Sequence, residues 1–116
     1  MCNGPLLKST LAQVRKILYQ QSASTVKRLG LELGGNAAFI VFDSADLDLA
    51  VAGCMASKFR NAGQTCVSTN RVLVQEAVHD IFVEKLRVAM EEQLVLGDGA
   101  HQGVTQGPLI NTSQYK

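Results

Sequence analysis

The chain has 116 residues, 47% of them hydrophobic and 18% charged, with a formal net charge of +1. That is the composition of a globular domain, or of a piece of one, with enough apolar side chains for a core. Near-neutral charge without a basic patch or polybasic run excludes the nucleic-acid and membrane-surface classes, and apolar runs such as 37–42 and 49–56 are too short to span a bilayer.

The opening MCNGPLLKST lacks the order of a secretory signal and the arginine-rich amphipathy of a transit peptide. Cys2, Cys54 and Cys66 are too few and too scattered for a disulfide framework, which favours a reducing compartment. Leu11, Val14, Leu18 and Val26, with Ile17 alongside, set a helical stripe over 11–26 with a weak turn near Ser22. In LGLELGG, Leu29, Leu31 and Leu33 alternate with Gly30 and Glu32, the period of a strand, which Gly34 and Gly35 end. AAFIVF (37–42) is a continuous apolar run that suits a strand buried on both faces.

Asp43 or Ser44 then offers an N-cap for a helix over about 45–59. It is apolar or small nearly all round, so it should be buried, with Cys54 inside as packing. RVLVQ (71–75) reads as a short strand. From Glu76 to Leu94, the stripe Val78, Ile81/Phe82, Leu86, Ala89/Met90 and Leu94 marks an amphipathic helix. Glycine-rich loop closes the chain. Alternating helices and strands indicate an α/β fold. Three short strands do not make a covered doubly wound sheet, so the chain reads as cut at both sides.

Two residues stand out chemically. Cys66, in FRNAGQTC, is either a small buried thiol or a nucleophile on a turn that Gly63 makes sharp. Glu32, in a leucine-rich segment before two glycines, is either a strand-end carboxylate turned to water or a general base. Partial burial would raise such a base towards neutrality. A free thiol is only a few per cent thiolate at neutral pH, so a nucleophilic Cys66 needs a base or a positive neighbour. Arg60 is a loop brace or a ligand for an anion. His79 and His101 read as solvated, no metal-ligand spacing appears, and Gly97, Gly99 and Gly103 are too irregular for a phosphate loop.

LELGGNAAFIVFDSADLD together with KFRNAGQTC resembles the aldehyde dehydrogenase family. In that family an E-L-G-G segment carries the catalytic glutamate and a G-Q-x-C segment the nucleophile. Both stand here in order, as Glu32-Leu33-Gly34-Gly35 and Gly63-Gln64-Thr65-Cys66. MASKFRNAGQTCVSTNRVLVQ and TQGPLIN are similar to the succinate-semialdehyde dehydrogenases within the family.

The resemblance implies an incomplete piece of the fold: residues 1–33 as the end of the dinucleotide-binding domain, 34–116 as the start of the catalytic domain. It implies Cys66 as nucleophile, Glu32 as base, Arg60 as holder of the substrate's remote carboxylate and Gly34 at the cofactor site. It further implies NAD or NADP as cofactor, a small aldehyde as substrate, no nucleic-acid or membrane partner, a homo-oligomeric parent and a mitochondrial or cytoplasmic location. The 116 residues alone are expected to be inactive, and a non-catalytic remnant is the alternative. A cysteine hydrolase using His79 or His101 is a remoter one.

Departures from the family pattern are Ala38 in place of a proline and Ser68 where some members carry a second cysteine. A disulfide switch with the nucleophile is therefore not available. Lys8-Ser9-Thr10 matches the cofactor-phosphate turn poorly, and Arg15 falls where a glycine is expected. Ser9 is therefore left out of the site, and residues 1–13 fit the family frame poorly.

Overall fold

The computed structural model describes residues 7–114, with side chains described for 14–113; Cys2 and the side chains of Lys8, Ser9 and Thr10 lie outside these. The chain divides into one compact unit up to Gly34 and a second from Gly35 onward.

The first unit holds α1 (Leu7–Ala23) and a tail without regular structure. A run of hydroxyl side chains ends the helix. Ser22, Ser24 and Thr25 donate to the carbonyls of Tyr19, Gln21 and Ser22, offering the backbone an alternative to continued helix. Val26, expected on the apolar stripe, lies beyond that end at φ 50° and is 90% exposed. The strand expected at Leu29–Leu33 is absent. Its period-two pattern finds no ladder partner among the described residues, and Leu29 and Leu31 remain partly exposed. Without inter-strand hydrogen bonds an alternating pattern cannot hold a strand.

The second unit is a strand–helix–strand–helix arrangement. β1 (Ala37–Val41) pairs in parallel with β2 (Thr69–Val74), and α2 (Leu47–Phe59) makes the crossover that parallel strands require. The register slips by one residue between Ala37 and Ala38, leaving Asn70 extra on β2. Arg71 donates to the Asn36 carbonyl at 3.2 Å and fixes the chain into β1. α3 (Glu76–Gln93) packs against α2.

The core is Val41, Val51, Cys54, Met55, Phe82 and Ala89, ringed by Phe39, Phe59, Val74, Val78, Leu86 and Leu94. Cys54 is 1% exposed, and burial pushes its thiol up, against a smaller opposing pull from Lys58. Two expectations need correcting. β1 is covered on one face only, since Ile40 is 57% exposed. α2 buries one side, Val51, Cys54 and Met55, while Leu49 is 72% exposed. In both cases two strands and one further helix supply only a single covering layer.

The N-cap of α2 is Asp46, not Asp43 or Ser44. Its Oδ1 accepts from the Asp48 and Leu49 amides at 3.0 and 3.1 Å. The Asp43 amide instead donates to Gln75 Oε1 at 2.8 Å, tying the end of β1 to the start of α3. Asp46→Ala should destabilise the chain by about 1 kcal/mol, measured by urea unfolding. On α3, hydrogen bonds from Arg87 hold the Glu84 carboxyl below the usual carboxylate range. Both partners are exposed, so the pair contributes little to stability.

Candidate active site

α2 ends at Phe59, and Arg60 leaves the helix with extended ψ. Asn61, Ala62 and Gly63 follow at φ 52°, 53° and 75°, three left-handed residues in succession. Glycine takes this geometry without strain and asparagine tolerates it, but alanine does so at a cost of about 1–2 kcal/mol. Gly63 is also tightly placed, since a Cβ there would meet the Lys58 carbonyl oxygen at 3.2 Å. Only Gly63 is foreseeable as a turn former; the conformation of Ala62 is imposed by its surroundings.

A second turn follows, closed by the Ser68 amide donating to the Thr65 carbonyl at 2.9 Å. Cys66 sits inside it, exposed, with a free thiol. Cys66 is thus a thiol presented on a turn and not a buried packing thiol. The glycine backbone of Gly35 passes beside it, where a Cβ would come within 3.9 Å of the Cys66 carbonyl oxygen.

Two glutamines brace the loop; both lie in segments that carry the family resemblance, but the sequence assigns neither of them a role. Gln64 Oε1 accepts from the Ile110 amide at 2.8 Å, while its Nε2 faces the Pro108 and Asn61 carbonyls at 3.5 Å. Gln106, 9% exposed, donates to the Phe59 carbonyl at 3.1 Å and satisfies an end carbonyl of α2. Residues so far apart in the chain give no periodic signal.

Arg60 is exposed and makes no hydrogen bond or ion pair with another described residue. It lines an open hollow of about 370 Å³ with Met55, Phe59, Leu94 and Gln106. Cys66 is not part of that lining. Glu32 belongs to the first unit, where it is exposed and outside any strand; the partial burial expected of it is not found in this chain. Gly34 lies at the end of the same irregular segment. His79 is exposed with Nδ1 2.9 Å from Asp80 Oδ1, and His101 is exposed in the closing loop. Among the described residues, no three His, Cys, Asp or Glu side chains group to hold a metal, and no helix is long and apolar enough to cross a membrane.

Ser68 is fully buried, and its hydroxyl has no hydrogen-bond partner among the described residues. A buried polar group without a partner costs about 1–3 kcal/mol. Ser68→Ala should therefore raise stability by about 1 kcal/mol, read as a higher urea midpoint at unchanged slope.

The comparisons with known proteins agree in direction. The human mitochondrial succinate-semialdehyde dehydrogenase is 59% identical over 115 residues, covering 96% of this chain and 22% of that protein. The 3-sulfolactaldehyde dehydrogenase of Pseudomonas putida is 60% identical over 103 residues, covering 89% of this chain and 21% of that protein. A crystal structure of an NADP-dependent enzyme of E. coli superposes with a TM-score of 0.83 at 57% identity, over 87% of this chain and 21% of that one. The chain thus spans about a fifth of the length of the relatives it matches. Its architecture is a mixed helix-and-strand part of their fold. A sequence model described as the aldehyde dehydrogenase family matches residues 11–116, taking in both glycine-bearing motifs and the braced Cys66 turn, and the chain belongs to that family.

Proposed function

We propose that the protein containing this segment oxidises an aldehyde with a remote anionic group to the acid, with succinate semialdehyde to succinate as the reaction. The single observation that carries the reading is the Cys66 turn: an exposed thiol on a strained, braced loop that begins at an arginine with no ion-pair partner among the described residues. Similarity to relatives named for succinate semialdehyde and 3-sulfolactaldehyde supports the substrate class. Both aldehydes carry an anion away from the carbonyl, a carboxylate in one and a sulfonate in the other. Arg60 is the residue offered to that anion, because a guanidinium meets such oxygens with two parallel hydrogen bonds.

In this reading the Cys66 thiol gives its proton to water, its thiolate sulfur adds to the carbonyl carbon, and the Cys66 backbone N–H stabilises the resulting oxyanion. NAD or NADP, when bound, supplies the acceptor for the hydride that leaves this carbon, and the carbonyl re-forms as a thioester. Glu32 then takes a proton from water. The hydroxide adds to the thioester, the C–S bond breaks, and acid and free thiol are released. Gly34 is the one residue the motif offers to the dinucleotide. The hollow beside Arg60 is lined by none of Glu32, Gly34 or Cys66. We place the mature parent in the mitochondrion or cytoplasm, as a homo-oligomer.

The deciding experiment is dinucleotide reduction by a complete protein carrying this segment, with succinate semialdehyde compared with a neutral aldehyde of equal length. Reduction with neither would overturn the reading.

A second reading, that these 116 residues alone form a non-catalytic piece, is favoured by the exposure of Glu32 and by a span of about a fifth of the relatives. A chain spanning about a fifth of its relatives offers one residue, Gly34, to a dinucleotide and one oxyanion donor, the Cys66 backbone N–H, and a single such donor can be worth about 10²–10³ in rate. The purified chain should give no dinucleotide reduction above a thiol blank, and turnover at ordinary enzyme rates would eliminate this reading.

A further inference from the structure

We propose that Gln64 is a positioning residue, whose carboxamide clamps the Cys66 turn to the segment 108–110. This rests on the reading of Cys66 as the nucleophile. An ordinary surface glutamine keeps its head group in water. Here Oε1 accepts a 2.8 Å hydrogen bond from the amide of Ile110, which lies 46 positions away in the chain. Nε2 faces two carbonyls at once, Pro108 across the gap and Asn61 within the turn, both at 3.5 Å. The backbone of Gln64 is held from the same side: its amide donates to the Asn61 carbonyl at 3.0 Å, and Asn61 Nδ2 donates back to the Gln64 carbonyl at 3.3 Å.

The left-handed run Asn61-Ala62-Gly63 therefore has an anchor at each end. At the start, Gln106 Nε2 donates to the Phe59 carbonyl at 3.1 Å; at the finish, Gln64 reaches residues 108 and 110. Both anchors connect to the short stretch 106–110. A strained turn persists only where its surroundings over-determine it, and these bonds do so for the turn that presents Cys66 two residues later. Ala62 has no intrinsic reason to stay at φ 53°. Without the second anchor the turn can relax, and the thiol loses its fixed place.

The test uses amide exchange and thiol alkylation on the 116-residue chain. Gln64→Met removes acceptor and donors at similar length; Gln64→Glu keeps an acceptor for Ile110. In Gln64→Met, exchange at the Ile110 amide should accelerate about 2- to 12-fold, the span of one net hydrogen bond. The amides of 61–68 should follow, and those of α2 and α3 should not change. Gln64→Glu should keep Ile110 slow. The limiting rate of Cys66 alkylation by iodoacetamide should rise with the loosened turn, resolved by peptide mass, while buried Cys54 stays unreactive. A role confined to overall stability would move Cys54 and Cys66 together, and that result would overturn the proposal. Unchanged exchange at Ile110 in Gln64→Met would overturn it as well. Neither readout involves an aldehyde or a dinucleotide. Absent turnover thus leaves the clamp standing, and a failed clamp leaves Cys66 as nucleophile.

Discussion

Cys66→Ala in a complete protein carrying this segment should abolish aldehyde oxidation, and Glu32→Gln should stall it after one turnover. The two losses differ in kind. Removing the sulfur removes the bond through which the substrate is held during oxidation, and no neighbouring group replaces it. Ser68, two residues on, has a fully buried hydroxyl and cannot take over. Loss of a covalent nucleophile costs on the order of 10⁶ in kcat in a well-studied hydrolase, and a comparable loss is expected here.

Glu32→Gln leaves that bond-making step intact and removes the acceptor for water's proton. General-base catalysis typically contributes about 10²–10⁴-fold, so steady-state turnover should fall by that range. Rapid mixing should still give one equivalent of reduced dinucleotide per site, and mass spectrometry should find the acyl group on Cys66. A Glu32→Gln protein that lost the burst would assign Glu32 to thiol activation instead. Normal steady-state rates in either variant would overturn the assignment of both.

What the sequence makes legible depends on how far apart the cooperating residues lie. The amphipathic helix over 76–94 and the strand at 71–75 are local periodic signals, and α3 and β2 occupy nearly those bounds. Cys54 is legible for the same reason, as one position on a helical core face. Leu29–Leu33 carries an equally clean alternation and forms no strand, because alternation describes a face and not the partner that must pair with it. The sequence reading places the capping residue of α2 too early, at Asp43 or Ser44, since several neighbouring side chains suit that position. The helix begins at Leu47, so it is the Asp46 side chain that reaches the free amides of Asp48 and Leu49. In the candidate site, Cys66, Glu32 and Arg60 are legible through motif resemblance, as ordered short segments. Gln64 and Gln106 stand in the same kind of segment, but their bracing is not legible, since it lies in contacts with 108–110 and Phe59. Nor is the left-handed geometry of Ala62, because alanine carries no local preference for it.

Arg60→Leu in the complete protein should weaken oxidation of succinate semialdehyde and spare a neutral aldehyde of similar length. The alternative role for this side chain is bracing the loop, and hydrogen bonds separate the two. The brace is already made by others: Gln106 holds the Phe59 carbonyl, and Gln64 holds the far side of the turn. Arg60 itself contacts no hydrogen-bonding partner among the described residues and lines an open hollow. A guanidinium cannot lose its charge near neutral pH, so it presents a permanent cation to anything entering from solvent. A carboxylate held by two charge-assisted hydrogen bonds gains roughly 1.5–3 kcal/mol, equivalent to about 10- to 150-fold in kcat/KM. Arg60→Lys should recover only part of this, because an ammonium keeps the charge and loses the paired geometry. The neutral aldehyde never uses the contact, so its kcat/KM should stay within about a factor of two of wild type, the spread ordinary for surface substitutions. An equal fall for both substrates would make Arg60 a loop brace after all. No fall for either would remove the physical basis for preferring an anionic aldehyde.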